Sequence, residues 1–574
     1  MANLSQKKRE RMLAFLQQLK EEHKDDDSVL IALGEIESEL TAKKYGLVWE
    51  QHEEAVDIKM RTHIPVFTEV PEREITAVPG GAYNFLLEGD NLHSLRLLER
   101  THKGKIDVIY IDPPYNTGNK DFVYNDTFID GLDGFRHSKW LSFMAERLQI
   151  AKELMSTEGI IFISIDDNEY ANLKLICDEI FGEGNFVSGI IIKSNPRGSQ
   201  SKKAIASLHE YLLTYVKSVS DAPIIGHELT DEMTSEYKYT DENGAYRLLG
   251  LRQRGGFWRA SERPNLYYPF YVNPETEELS LTPANGYNIE VFPYQPSSGE
   301  KGTWRWSKEK AANEIKKLIA RSVKRGGETI FDIYQKDYLS NGTAERRTKA
   351  RSIWDEKEMN YQNAATELKS IFFTSPFTYA KPTHLIKQAL RMMDFNQQET
   401  VLDFFAGSGT TAQAVMELNA TDGGNRSFIL CTNNENGICE SVTYPRIKTV
   451  ITGKREDGST YSEGLPANLK YYRTDFVSKD EEYLSDALLE HMTEMIQLEH
   501  GVKIDGRQYI IVMDDDEADE LAAHWSDYPD AKALYVSKNV LFTTEQNAIF
   551  KDVEIHIIPD YYFSFELKEV GESW

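Results

Sequence analysis

Hydrophobic positions recur along this chain with two periods, and the switches between them mark out its regions. Residues 1–60 are rich in charge, with Met12, Phe15, Leu16 and Leu19 at helical spacing. Asp25-Asp26-Asp27-Ser28 breaks that pattern and suits the cap of a second helix. From Tyr83 onward, short apolar runs alternate with helical stretches. Residues 84–90 predict a strand ending in a turn, followed by a helix through Leu92, Leu95 and Leu98. Strands are predicted at 106–111, 159–166, 187–193 and 211–216, helices at 138–156 and 168–181, and a long loop at 116–135, where Asn, Gly, Asp and aromatics dominate. Two more apolar runs, 400–405 and 427–432, are of the same type. Strands alternating with helices predict an α/β fold with a mostly parallel sheet covered on both faces. Here the sheet is drawn from two separated stretches, about 80–220 and 370–450. Beyond 475, a helix at 483–498 and strands at 509–513, 532–536 and 554–558 predict a small α/β segment.

Two of the strand ends carry chemistry. Asp112-Pro113-Pro114-Tyr115 directly follows the run 106–111. The prolines lock the backbone and remove two amide donors, so carbonyl oxygens there are free to accept. The acid is a further acceptor, and the tyrosine ring can stack on a base. Such a device suits an exocyclic amino group on a flat ring, as methylation of a nucleobase amino group requires. Alone, the tetrapeptide is only suggestive, since a strand followed by a Pro-rich turn also reads this way. A second motif decides between them. Residues 401–411, Val-Leu-Asp-Phe-Phe-Ala-Gly-Ser-Gly-Thr-Thr, read as strand, Gly-rich turn and helix start. Gly407 and Gly409 allow a tight turn and close backbone approach to a ligand. Ser408, Thr410 and Thr411 suit the first helical turn. The full dinucleotide fingerprint is missing, because Ala412 stands where a third glycine belongs. Asp403 precedes the glycines and is better placed for an amino group than for a phosphate. The pair of motifs points to S-adenosylmethionine rather than NAD.

On these residues, and on Gly89-Asp90-Asn91-Leu92, the run 105–118, His209-Glu210-Tyr211, Ala380-Lys381-Pro382-Thr383 and the segment 44–50, the chain resembles the beta class of amino-methylating DNA methyltransferases. Within that class it is similar to the modification subunits of Type III restriction–modification systems. The resemblance implies a Rossmann-like methyltransferase sheet in circularly permuted order, with the catalytic half first and the cofactor loop later. It implies a helical N-terminal extension (1–80), a catalytic half (81–220), a target-recognition insert (221–370), a cofactor-binding half (371–474) and an acidic C-terminal α/β domain (475–574) for dimer or partner contact. The implied catalytic residues are Asp112, Pro113, Pro114 and Tyr115. The Asp112 carboxylate and Pro113 carbonyl would hold the two amino hydrogens while Tyr115 stacks on a base flipped from the duplex. Asp112 also borders the cofactor. Asp403, Phe404, Ala406, Gly407, Ser408, Gly409 and Thr410 would surround the methionine end, with Lys381 covering it. Asp90 and Asn91 would meet the adenine part, and Glu435 the ribose. Asp at the head of the tetrapeptide implies adenine as the target. The implied partners are double-stranded DNA, a second copy of the chain and a helicase–nuclease subunit. No helicase P-loop pattern occurs in the chain.

Composition bounds this picture. The 574 residues are too many for one core. No apolar run is long enough to span a bilayer, and the first residues carry no apolar signal segment, so a cytoplasmic location is expected. Cys177, Cys431 and Cys439 form neither a disulfide framework nor zinc spacing. A net charge of −27 opposes DNA binding only if averaged. Residues 191–350 hold 24 Lys and Arg against 20 Asp and Glu, whereas 475–574 hold 7 against 24. Within the insert, Trp258, Trp304, Trp306 and Trp354 interleave with the clusters 252–254, 308–310, 321–325 and 346–351, a pattern suited to DNA backbone and bases. Each cluster taken singly also fits a solvated face. His137, His209 and His384 are candidate bases, although a lone histidine is usually structural. Other readings stay open: a stand-alone methyltransferase, an RNA or protein amino methyltransferase, and a non-catalytic DNA-specificity subunit.

Overall fold

The computed structural model describes residues 4–24, 26–41, 49–124, 127–198, 205–295, 298–325, 327–340, 346–504 and 506–571. Asp25 and residues 44–48 of the segment quoted above lie outside these. Contacts divide the chain into two compact units, residues 1–224 with 351–574, and residues 225–350.

The first unit is built on one twisted sheet. In chain order its main strands are β1 (His63–Glu69), β2 (Tyr83–Glu88), β3 (Ile106–Ile111), β4 (Met155–Ile165), β5 (Phe186–Ile192), β6 (Glu210–Val216), β7 (Ile353–Trp354), β8 (Thr400–Asp403), β9 (Ser427–Thr432) and β10 (Asn468–Ser478). Across the sheet the order is β1-β10-β2-β9-β8-β3-β4-β6-β5-β7. The run from β10 to β4 is parallel throughout. β6 is antiparallel to both β4 and β5, and β1 is antiparallel to β10. Central strands such as β3 and β4 are runs of Ile, Val and Phe because both faces are covered. Two of the covering helices are α1 (Asn91–Thr101) and α2 (Arg136–Leu154). Leu92, Leu95 and Leu98 of α1 and Trp140, Met144 and Leu148 of α2 are fully buried, as helical spacing requires.

β8 falls late in the chain yet lies between β9 and β3, so the sheet has the permuted order expected of it. Several elements differ from the sequence reading. The N-terminal region is helical over Leu4–Glu22, Asp27–Thr41 and Ala55–Met60, but then supplies edge strand β1. Pro65 sits in β1, where an edge strand tolerates the missing donor. β10 escaped notice because Lys470 interrupts its apolar pattern. That lysine is buried and paired with Glu69 and Glu74. The loop at 116–135 contains a hairpin, Asn119–Tyr124 with Thr127–Asp130. Trp354, counted above with the insert, is buried in β7, which extends the first unit's sheet beside β5.

The boundary expected near 475 falls inside β10. Leu484, Leu488, Met492 and Ile496 then join the main core. The strands Tyr509–Val512, Ala533–Ser537 and Glu554–Ile558 form a separate parallel sheet. Its alternation has a clear physical use. Leu534 and Val536 face a small local core, while Ala533 and Tyr535 face the main one. The acidic turn Asp514–Glu517 is exposed.

The second unit holds a four-stranded antiparallel sheet, ordered Tyr239–Asp241, Gly244–Gly250, Glu328–Tyr338, Leu318–Arg325. A three-stranded sheet is centred on Phe270–Val272. Trp304 and Trp306 belong to its core with Phe270 and Ile333, and Trp304 Nε1 donates to the Tyr268 carbonyl at 2.7 Å.

Ile161, at the centre of β4, is fully buried. Ile161→Ala should lower stability by about 2–5 kcal/mol, read as a shift of the urea midpoint. A loss below about 0.5 kcal/mol, the range typical of surface sites, would contradict its placement in the core.

Candidate active site

β3 and β8 are hydrogen-bonded neighbours, with Val401 opposite Val108 and Leu402 opposite Ile109. Being parallel, they discharge their turns at the same edge of the sheet, the edge where open α/β sheets bind ligands. A cavity of about 850 Å³ opens there. It is lined by Asp112, Pro113, Pro114 and Tyr115 from the first turn and by Asp403, Phe404, Ala406, Gly407, Ser408 and Thr410 from the second. Asp90, Asn91, Lys381 and Glu435 line it as well. Of the residues proposed from sequence, Gly409 alone stays off the wall. It serves the turn instead, at φ +76° as N-cap of the helix α3 (Thr410–Asp422), and a Cβ there would come within 3.3 Å of Thr443.

The first turn is held from behind. Trp140 Nε1 of α2 donates to the Pro114 carbonyl at 2.7 Å. Asn116 then takes a left-handed conformation, φ +56°, which Asn tolerates better than most residues. Its side chain is buried and donates to Glu169 at 2.5 Å. Asp112 Oδ2 accepts from Lys381 Nζ at 2.8 Å, while Asp112 Oδ1 is buried with no hydrogen-bond partner. Burial pushes the Asp112 carboxyl above its usual range, with the Lys381 ammonium pulling the other way. Tyr115 and Tyr361 both donate to Glu210 Oε2, at 2.8 and 2.6 Å. Burial drives both phenols well upward.

The second turn is held by Arg446, which is fully buried. It donates to Ser408 Oγ at 3.0 Å, to Thr410 Oγ1 at 2.8 Å and to Gln413 at 2.9 Å. Thr443 Oγ1 donates to the Gly407 carbonyl at 2.6 Å. Asp403 accepts from the Phe405 amide at 3.0 Å and from Thr411 Oγ1 at 2.5 Å. Burial still raises its carboxyl to about 7.

At the far end, Asp90 caps α1 by accepting from the Leu92 amide at 2.8 Å. Asn91 donates to the Phe404 carbonyl at 2.8 Å, tying α1 to the second turn. Arg147 of α2, wholly buried, donates to Asn91 at 2.6 Å and to Glu54 at 2.7 and 3.1 Å, and lies 3.3 Å from Asp90. Glu54 lines the cavity too, its carboxyl raised by burial. Glu435 is exposed at the rim, beside Asn433.

Sequence reasoning missed Glu54, Arg147, Tyr361 and Arg446, none of which stands in a pattern that announces chemistry. Glu210 was quoted only as part of a resembling segment. Lys381 lines the cavity as expected of a cofactor-covering residue, and its ammonium is bound to the Asp112 carboxylate. His137, His209 and His384 do not line the cavity. His137 meets Glu169 and His209 meets Tyr211. The three cysteines are buried and unpaired. Among the described residues no cluster suited to a metal is found, and no helix is long and apolar enough to cross a membrane.

In the second unit, several arginines of the basic clusters are committed internally. Arg252 and Arg325 pair with Asp332, Arg321 with Glu277, and Arg346 with Asp337. Arg254, Phe257, Arg259 and Arg263 form an exposed basic-aromatic segment instead.

The DNA methylase family N6_N4_Mtase matches residues 106–443, more than half the chain, and the chain belongs to it. Its methyl donor is S-adenosylmethionine. The chain is 39% identical over 348 residues to the Type II methyltransferase M.KpnI of Klebsiella pneumoniae, covering 60% of this chain and 79% of that protein. It is 35% identical over 380 residues to the Type III restriction-modification enzyme EcoPI Mod subunit of Escherichia phage P1, covering 61% of this chain and 58% of that protein. A similar match, at 34%, covers 54% of the StyLTI Mod subunit of Salmonella typhimurium. The chain thus spans little more than half the length of these Mod subunits. Among solved structures, the DNA modification methylase TTHA0409 of Thermus thermophilus complexed with S-adenosyl-L-methionine aligns at a TM-score of 0.30 and 12% identity, over 68% of this chain and 97% of that one.

The raised Asp403 carboxyl has a consequence for the ligand-free protein. Its value of about 7 lies above that of an exposed Asp, so folding favours the protonated acid. The stability it contributes is present below about pH 4 and is lost as pH rises through about 7. The loss should amount to about 4 kcal/mol, judged from the size of the shift. Urea denaturation from pH 4 to 8 should show this decline in the wild type and not in Asp403→Asn. Parallel profiles would refute it.

Proposed function

We propose that this chain methylates N6 of adenine at specific sites in double-stranded DNA, as the modification and recognition subunit of a Type III restriction–modification system in the cytoplasm. The observation that carries this reading is Asp112 Oδ1, a buried carboxylate oxygen without a partner at the wall of a cavity that also presents Pro113 and Tyr115. An unpaired buried acceptor is costly, and an amino hydrogen is the donor it lacks.

The Pro114 carbonyl is occupied by Trp140, which leaves the Pro113 carbonyl, at the cavity wall, as the second acceptor. With both amino hydrogens held, the nitrogen lone pair is released from conjugation with the ring and directed at the methyl donor. S-adenosylmethionine supplies an electrophilic methyl group: the new carbon–nitrogen bond forms as the carbon–sulfur bond breaks. The methylated nitrogen then loses one proton to solvent, and no strong base is needed. The chain's own contribution is orientation and exclusion of water. The residues present fit the donor. Gly407 permits close approach of the backbone, Asp403 offers a carboxylate to an amino end, and Asp90, Asn91 and Glu435 offer polar groups along the rest of the cavity. Asp at the head of the tetrapeptide supports adenine over cytosine. The exposed segment 254–263 suits contact with the target duplex. A second copy of the chain and a helicase–nuclease subunit are the partners this reading includes.

Base-resolution methylation sequencing of DNA from a methylation-free host expressing this chain tests the whole reading. N6-methyladenine in one short motif, on one strand, is expected. No mark, or marks on cytosine, would overturn it. Asp112→Ala should reduce transfer by about a thousandfold or more and change S-adenosylmethionine affinity little, by calorimetry. Retained transfer would remove Asp112 from the chemistry.

A further inference from the structure

The Lys381 ammonium occupies an unusual position. It donates to Asp112 Oδ2 at 2.8 Å and lies 4.9 Å from the ring centroids of both Tyr115 and Tyr361. Glu210 Oε2 is 3.8 Å away and already accepts both phenol hydroxyls. Lys381 is only 6% exposed. A nitrogen donor held between two aromatic rings and bonded to the Asp112 carboxylate is, chemically, what a captured nucleobase amino group presents.

Building on the adenine-methylation reading, we propose that Lys381 holds the place of the target amino group until a base enters. Its ammonium then passes from Asp112 to Glu210, and Tyr361 closes the base pocket opposite Tyr115. Lys381 and Glu210 are positioning residues, and Tyr361 touches the base. The arrangement solves a specific problem. Without a cation beside it, the half-buried Asp112 carboxyl, raised by burial and by the Glu210 charge, would favour its protonated form. A protonated Asp112 would lose acceptor capacity toward the amino group. Lys381 keeps it ionised at both stations, since the second lies close to the first. The shared acceptor Glu210 keeps the two rings in place throughout.

The groups facing Asp112 set the sign of the test. Lys381 is the cation, and Glu210 is the nearest anion. Tyr110 on β3, Tyr115 and Tyr361 face it as neutral phenols. Asp403 on β8 is raised in turn by the Asp112 charge, and Asp166, past β4, acts on Lys381. Removing the cation should raise the Asp112 titration, and removing the Glu210 charge should lower it.

Single-turnover methylation of DNA from a methylation-free host, with tritiated S-adenosylmethionine from pH 5.5 to 9, reads this directly. In Lys381→Gln the acid limb of the rate profile should move up by about one pH unit or more. The rate at pH 7 should fall at least about tenfold, with partial recovery at pH 9. In Glu210→Gln, whose amide oxygen still accepts from both phenols, the acid limb should move down by about half a unit or more. S-adenosylmethionine affinity, by calorimetry, should change less than about threefold in either variant; this also verifies that each is folded. An unmoved acid limb in Lys381→Gln overturns the proposal. So does a loss of cofactor affinity with the profile unchanged, which would assign Lys381 to the methionine end. Tyr361→Phe and Tyr361→Ala separate the wall from its hydroxyl: the ring deletion should cost at least about tenfold more in transfer, and equal losses would remove Tyr361 from the base pocket. Absence of transfer by the wild type would instead refute the underlying reading, and the proposal with it.

Discussion

The hydrogen-bonded pairing of β3 with β8 is the constraint on which the rest of the site depends. Adjacent parallel strands lie about 4.8 Å apart, so the acid at the end of one is fixed against the turn at the end of the other. Asp112 and Asp403 are close enough for the charge of one to act on the other. A slip of one residue would turn every side chain of a strand to the opposite face. Close packing of differently shaped side chains on both covered faces opposes that slip. The two chemical motifs are far apart in sequence, and the sheet alone makes them one site.

Around this pairing the protein buries more charge than a stable core needs. Arg147 and Arg446 are fully buried, and Lys381 nearly so. Ions in such places cost much of what their partners return, so their partners reveal their use. Arg446 binds side chains of the Gly-rich turn, and Arg147 binds the cap of α1 and the N-terminal Glu54. Each converts a loop or helix end into a fixed wall. Lys381 differs, because its partner is the carboxylate proposed to hold the target amino group and a second acceptor lies within reach. An ion with two stations can move; one with saturated hydrogen bonds cannot.

The parallel core and the two motifs were legible because each rests on local pattern: unbroken β-branched runs, two prolines after a strand, two glycines before a helix. The permuted order followed once β8 was seen to resemble a first strand. What escaped was long-range. β10 hides its strand pattern behind Lys470, whose burial depends on Glu69 and Glu74 from elsewhere in the chain. Tyr361 and Arg446 carry no local signature and matter only through what the fold sets beside them. Lys381 was found by resemblance, but its bond to Asp112 was not, since a loop lysine says nothing about which carboxylate it meets. The tryptophans of the insert misled in a simpler way. Trp304 and Trp306 are core residues, and aromatic content cannot distinguish a base-stacking surface from the centre of a small domain.

The same lesson applies to charge. The insert's excess of basic residues reads as a surface for phosphate, yet its arginines at 252, 321, 325 and 346 are neutralised within the second unit. Paired charges release few counterions and contribute little to DNA affinity. The charge available to DNA is therefore concentrated in exposed positions such as Arg254, Arg263, Lys308 and Lys324, fewer than composition implies. Under the proposed function, few phosphate contacts would leave a larger share of affinity to base contacts and to capture of the target base. The exposed acidic turn at 514–517 disfavours phosphate within a screening length of about 8 Å. A strongly acidic protein can thus act on DNA, provided that its hold on the duplex is local and its grip on the target base is tight.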